Sequence, residues 1–374
     1  MAYGTINADV VQSSVTGVSL GAGNATRFKN RIINGDMRID QRFAGASTTP
    51  SSGGYLLDRF FYTGTQASKM GFQQNYGAVT LPIGFSNYLG MFTITPVSVG
   101  VGDTFLVTQN IEGFNTADLG FGTANAKTVT LSFQVYSSLT GTFGGALSNS
   151  GASRSYPFSY SIPTANTWTT ISVTIAGDTS GTWIGSTNGI GLVVRFGLGS
   201  GSTFSGTAGT WAAGNYVQPT STVSVVGTSG ATFFITGVQL EVGSSATGFE
   251  YVDYTTQLVM CQRYYFRRNI VSTSADVIAV IQAYGTGDAY GKLLDLPVTM
   301  RTTPTGTLSA IGNFRATNAL ASSATAFTSG SIDSVSPSAI GTSGMSGSSG
   351  LVAGSATVIT ANTTAAWIAA SAEL

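Results

Sequence analysis

KTVTLSFQVY, Lys127–Tyr136, is the stretch whose reading decides the fold. Successive side chains of an extended chain point to opposite faces, so Val129, Leu131, Phe133 and Val135 share one side. Thr128, Thr130, Ser132 and Gln134 share the other. One face is core and the other is wet, as in an antiparallel sheet solvated on one side. The same period holds downstream, where Ile171, Val173 and Ile175 oppose Thr170, Ser172 and Thr174. Further out, FLVTQNIEGF (105–114), IGLVVRFGLG (190–199) and FFITGVQLEV (233–242) are short Val, Ile, Thr and Phe runs. Gly, Asn, Asp or Ser bound each of them, the pattern of strands and turns in a sandwich. No long helix is called for.

Composition supports this reading over 374 residues. Gly 49 with few Lys and Glu is poor material for helices and good material for short strands and tight turns. A 42% hydrophobic content with Phe 21 and Tyr 15 supplies the area a core needs, which disordered chains lack. Lys+Arg 16 balances Asp+Glu 16, so the overall field that nucleic acid or anionic lipid binding exploits is missing. Histidine is absent and Cys261 is the single cysteine, which leaves no disulfide framework, no ordinary zinc site and no histidine base. The start, MAYGTINADVVQSS, has neither a basic region nor an apolar run of a secretory signal, and no run of about 18 large apolar residues reads as a membrane span. Neither membrane insertion nor a nucleic-acid partner is expected.

Three regions follow along the chain. Residues 1–28 are polar and Gly-punctuated and read as an extended N-terminal arm. Residues 29–255 carry the strand pattern of the sandwich. TTQLVMCQRYYFRR (255–268) reads as a linker or short helix, and residues 256–374 as a smaller C-terminal β domain. The basic and aromatic QRYYFRR within it superficially resembles an RNA-binding patch; zero net charge favours a packed junction between domains or subunits instead.

Charge in a chain only 9% charged concentrates in NRIINGDMRIDQRF, 30–43, and its flanks. Ile33, Gly35, Met37 and Ile39 alternate with Asn34, Asp36, Arg38 and Asp40, as in a first strand at a sheet edge guarded by charge. Arg38 and Arg42 are then expected to pair with Asp36, Asp40 or Asp58.

These runs together resemble phage and prophage tail-fibre-type structural proteins. The resemblance is carried by NRIINGDMRIDQR, YLLDRF, TQNIEGF, AKTVTLSFQVYSS, WTTISVTIAGDTSGTW and, most specifically, ITGVQLEVGSSATGFEYVDYTTQLVMCQRYY. It spans roughly Asn30 to Tyr265 and departs from the pattern at Gly248, where a proline is usual. The resemblance implies an antiparallel jelly-roll sandwich of the carbohydrate-binding-module type, on a virion tail, in a homotrimer. It further implies synthesis in host cytoplasm with release by lysis, contact with other tail proteins through the arm, and a host-surface glycan as ligand. A capsid or tail decoration protein without a receptor, or a polysaccharide-degrading tailspike, are the runner-up readings. No enzyme activity is expected.

Sugar recognition uses aromatic faces beside amides and carboxylates, which nominates Trp168, Trp183, Trp211 and Tyr216, with ordinary core packing as the simpler reading of each. Related sugar-binding jelly rolls hold a structural calcium where first and last strands meet, which nominates Asp36 and Glu241, with ordinary hydrogen bonds or salt bridges as the simpler reading. The Ser/Gly/Ala-rich stretch 319–353 reads as long loops that carry ligand contact on a distal C-terminal domain, or equally as a flexible or trimer-packed tail with no ligand.

Overall fold

A computed structural model describes residues 28–271, 276–318 and 325–374, in two compact units divided between Gln257 and Leu258. The proposed arm, Phe28 apart, lies outside the described residues, as does 319–324.

Fourteen strands build the described part of the first unit. They are β1 Gly53–Leu57, β2 Phe60–Gly64, β3 Met70–Gln74, β4 Leu89–Thr93, β5 Thr104–Glu112, β6 Val129–Ser137 and β7 Gly141–Ser148. There follow β8 Arg154–Ile162, β9 Thr169–Ile175, β10 Ile190–Ser200, β11 Ser205–Gly206, β12 Ala212–Ala213, β13 Gln218–Pro219 and β14 Thr232–Val242. One large sheet has the order β1-β2-β5-β10-β7-β8-β12 and the other β3-β4-β14-β6-β9, each antiparallel, while β11 and β13 form a short parallel pair. This is the jelly-roll sandwich. The large jumps between sequence neighbours and sheet neighbours, such as β10 between β5 and β7, make most contacts long-range.

The alternation in β6 is realised in the apolar set, with Val129, Leu131, Phe133 and Val135 all buried, while Thr130 of the face expected to be wet is buried too, its hydroxyl donating to Gly243 O (2.8 Å). The apolar four face the opposite sheet, where the Phe133 ring meets Tyr160 of β8 and Phe196 of β10 edge-on at 5.1 and 5.2 Å. Phe143 against Phe233 and Tyr62 against Phe72 close the same layer farther along.

The edge-strand reading of Ile33–Asp40 is corrected. The segment turns at Ile33–Asp36, with Asn34 and Met37 at φ 61° and 60°, and both alternation sets are largely buried. The reason is the asparagine, a residue that tolerates this backbone region. Its amide donates to the carbonyls of Ile39 (2.8 Å) and Asp58 (3.0 Å), and its oxygen accepts from Ile39 N (2.9 Å). The turn then plugs the sandwich between the sheets. Gln109 of β5 brackets Ile33 through both backbone groups (2.8 and 2.9 Å), while Arg31 N and Gly35 O bond to Leu240 and Val238 of β14. The charges organise this plug: Asp40 accepts from Phe43 N and Gly45 N, Asp58 from Gln41, and Arg38 pairs with Asp36 as expected. Arg42 stacks on Tyr55, 4.4 Å from its centroid.

Helix α1, Tyr254–Gln262, is opened by Asp253, whose carboxylate accepts from Thr255 N (2.9 Å). The second unit has its own core, with Phe314, Ile359, Met345 and Ile368 all buried. QRYYFRR belongs inside this unit. Tyr265–Asn269 pairs with Trp367–Ser371, Tyr264 is buried, and Arg267 stacks on Trp367. About half of the stretch expected as loops over 319–353 is strand where described: Thr325–Ala326, Ser329–Gly330, Ser334–Ser336 and Ala339–Ser346. Phe327 and Met345 anchor them in the core, which small residues flanking a few large ones suffice to do.

Two buried phenols make the sandwich sensitive to alkali. Burial pushes the Tyr62 and Tyr160 hydroxyls well above the ordinary tyrosine range. In the fold they keep their protons where unfolded tyrosine, with a pKa of about 10, has lost its own. Their contribution is therefore complete below that pH and is lost as pH rises through the folded values. The urea midpoint is expected to fall from about pH 10 upward, and Tyr160→Phe combined with Tyr62→Phe to flatten that fall. A midpoint whose alkaline decline is the same in the double variant would contradict this.

Candidate functional site

The outer face of the seven-stranded sheet carries the site. Alternation in β2, β5 and β10 turns Tyr62, Phe105, Val107, Val194 and Phe196 into the core and leaves Phe61, Thr63, Leu106, Thr108, Asn110, Val193 and Arg195 on the outside. Register then aligns them. Phe61 lies opposite Thr108, and Thr108 opposite Arg195, so the three form one row across three adjacent strands.

A wall rises beside this row. The chain from 201 to 219 leaves β10 and returns across the sheet, held to β8 by Gly209 N on Pro157 O (2.8 Å) and by Ser155 Oγ on Gly214 O (2.6 Å). It lies this close only because two strand positions lack a side chain. A Cβ at Gly197 would stand 2.1 Å from Gln218 Oε1, and one at Gly144 2.3 Å from Pro219 Cδ. Phe204, Asn215 and Val217 of this segment join the row in lining one groove with Phe61 and Leu374, and the Leu374 carbonyl there accepts from Asn110 Nδ2 (2.9 Å) and Tyr55 Oη (3.2 Å). Arg195 stands at its floor. Its Nη1 donates to Asn215 Oδ1 (2.7 Å) and Tyr216 O (3.3 Å), and burial lowers its pKa to about 10, so it remains a cation at neutral pH.

The four aromatic residues nominated from sequence do not converge. Trp183 and Trp211 do meet, perpendicular at 5.5 Å, in a cluster with Phe121 and Tyr156. Both are half-buried against the core, and their indole N–H groups are spent on Ser180 O (3.1 Å) and Ala176 O (2.7 Å). Trp183 and Phe121 line a separate cavity of about 270 Å³. Trp168 belongs to the outer face of the other sheet, beside Tyr136 and Tyr88, with its N–H on Thr80 O. Tyr216 sits in the wall of the groove, where its carbonyl receives Arg195 and its ring packs over Gly206 and Gly214.

Asp36 and Glu241 do not fit a calcium site. Glu241 accepts from Thr247 N (2.8 Å), Thr247 Oγ1 (2.7 Å) and Gln239 Nε2 (2.9 Å), with Lys29 Nζ 3.9 Å away. Asp36 is paired with Arg38, and burial raises its pKa against that pull. Two protein cations stand where a calcium ion would require six to eight oxygens, and among the described residues no three metal-ligating side chains gather. Glu241 instead shapes the 243–248 turn. Glu250, two residues beyond it, accepts from Asn30 N (2.9 Å), which clasps the two ends of the sandwich together.

Phe61, Phe204, Arg195 and Asn110 were not singled out from sequence. Arg195 had a usable signal: it is the one charge in a strand of apolar residues, at an outward position.

No protein-family model and no curated protein matches the chain. Among solved structures it is similar to the enzymatically active domain of bacteriophage CBA120 tailspike protein 4, at 14% identity and TM-score 0.30, covering 57% of this chain and 22% of that one. It is also similar to the CBM22-1 xylan-binding domain of Paenibacillus barcinonensis Xyn10C, at 8% identity and TM-score 0.26, covering 54% and 95%. The chain thus spans about a fifth of the length of that tailspike domain. Likeness of this strength carries no inference about what the chain binds. Among the described residues no helix is long and apolar enough to cross a membrane.

Proposed function

We propose that the first unit is a glycan-binding jelly roll and that its ligand lies in the groove lined by Phe61 and Phe204. The observation that carries this reading is the composition of that groove: two aromatic rings for the C–H faces of sugars, and in the same lining Thr63, Thr108, Asn110 and Asn215 to meet hydroxyls with the capacity left after Asn110 Nδ2 donates to Leu374 O (2.9 Å) and Asn215 Oδ1 accepts from Arg195 (2.7 Å). The lining includes no aspartate or glutamate side chain, whereas glycoside hydrolysis works with a pair of carboxylates, so we read a binder and not a hydrolase.

The motif resemblance supports the wider part of the proposal, a virion tail-fibre-type protein. In it the chain assembles as a homotrimer, contacts other tail proteins through residues before Phe28, and binds host-surface glycan during adsorption. A glycan array with the purified chain tests the groove. Phe61→Ala and Phe204→Ala are each expected to weaken the strongest signals by about tenfold or more, since a stacking aromatic at the centre of an interface is worth about 2 kcal/mol. Undiminished binding in both variants would remove the groove from consideration, and a loss on Trp183→Ala in its place would move the site to the 270 Å³ cavity.

A further inference from the structure

The groove holds a cation that a neutral sugar does not require. Arg195 projects from the central strand β10, and no aspartate or glutamate of the described residues pairs with it. Its two protein bonds both leave from Nη1, to a side-chain amide oxygen and a backbone carbonyl. Nε and Nη2, the pair that meets a carboxylate side-on, have no hydrogen-bond partner among the described residues. Three other arginines of the unit are matched to carboxylates: Arg154 makes the two-pronged contact with Asp178, Arg31 pairs with Asp118, and Arg38 with Asp36. An unmatched guanidinium this sheltered is an anion-recognition element, because planar forked donors favour carboxylates and a partly desolvated charge gains from a counterion.

Register supplies the size of that anion's carrier. Arg195 and Phe61 flank Thr108, two strand spacings apart, or about 10 Å. One sugar ring stacked on Phe61 therefore brings a substituent to Arg195 across Thr108. We propose that the groove selects carboxylate-bearing sugars, of the uronic or sialic acid class, with the carboxylate seated on Arg195 and the ring on Phe61. This rests on the glycan-binding reading above.

Titration calorimetry with oligogalacturonate and its methyl ester tests it, with a panel of glucuronate-containing, sialylated and neutral oligosaccharides beside them. The acid form is expected to bind at least about tenfold more tightly than the ester, the difference between a charge-assisted contact and a neutral one. Arg195→Gln should abolish that preference, Arg195→Lys keep part of it, and Phe61→Ala weaken both forms. Added salt should narrow the gap for the unmodified protein, a readout that does not depend on any variant folding. Equal binding of acid and ester, a preference that survives Arg195→Gln, or binding to neutral oligosaccharides alone would overturn the role of Arg195. If Phe61→Ala still weakened binding in those cases, the groove would stand. Binding indifferent to Phe61→Ala, or no binding to any member of the panel, would overturn both.

Discussion

Replacing Phe133 with alanine is expected to lower the stability of the sandwich by about 3–5 kcal/mol, the usual range for truncating a core phenylalanine. The side chain is 1% exposed and stands in mid-layer between the sheets. Edge-on contacts to Tyr160 and Phe196 are lost with it, and both partners belong to the other sheet. The cavity has little means of closing, because its walls are two hydrogen-bonded sheets whose spacing is fixed by the remaining large side chains. Urea unfolding followed by tryptophan fluorescence measures the effect. Ser132→Ala, next door on the wet face, should stay within about 0.5 kcal/mol of the parent. Comparable losses at both positions would mean that β6 does not have one buried and one solvated side.

Arg154→Met is the second large expected effect, at about 3 kcal/mol or more. Arg154 Nε and Nη2 donate to the two oxygens of Asp178 at 2.7 and 2.6 Å, and Asp178 is 2% exposed. Removing the arginine leaves a buried carboxylate with only Ser180 N (3.1 Å) to answer it. Much of the loss should therefore return in the double variant Arg154→Met, Asp178→Leu, where neither charge is buried alone. Trp183 reports the event locally, since its indole N–H bonds to Ser180 O within the same turn. A single variant within about 0.5 kcal/mol of the parent would show that the pair is far more hydrated than its burial indicates.

The strands were legible in the sequence because their faces differ so plainly. Val129 to Val135 and Ile171 to Ile175 alternate without ambiguity, and the structure pairs them, Val129 with Ile175 and Phe133 with Ile171. Asn30–Phe43 misled for a physical reason. Period-two alternation was present, but one asparagine at φ 61° reverses the chain, and both sets of residues end up buried in a plug with sheets on either side. Residues 325–346 misled in the opposite sense, because strands made of Ser, Gly and Ala have weak alternation while two large side chains, Phe327 and Met345, suffice to dock them.

The site was only partly legible. Trp183 and Trp211 drew attention as large aromatics, yet size sends such rings to the core edge, where these two pack. The groove needs the register of β2, β5 and β10 and the path of 201–219, and neither is written in local pattern. Glycines 144 and 197 admit that path, and a glycine in a strand announces close approach without saying of what.

The central claim is tested most directly by crystallising the chain with the strongest oligosaccharide from the array and locating the sugar. Density stacked on Phe61, facing Phe204 and reaching Arg195 is the expected result. Sugar bound in the Trp183 cavity, over Trp168 on the other sheet, or on the second unit, with the groove on β2, β5 and β10 left unfilled, would contradict it.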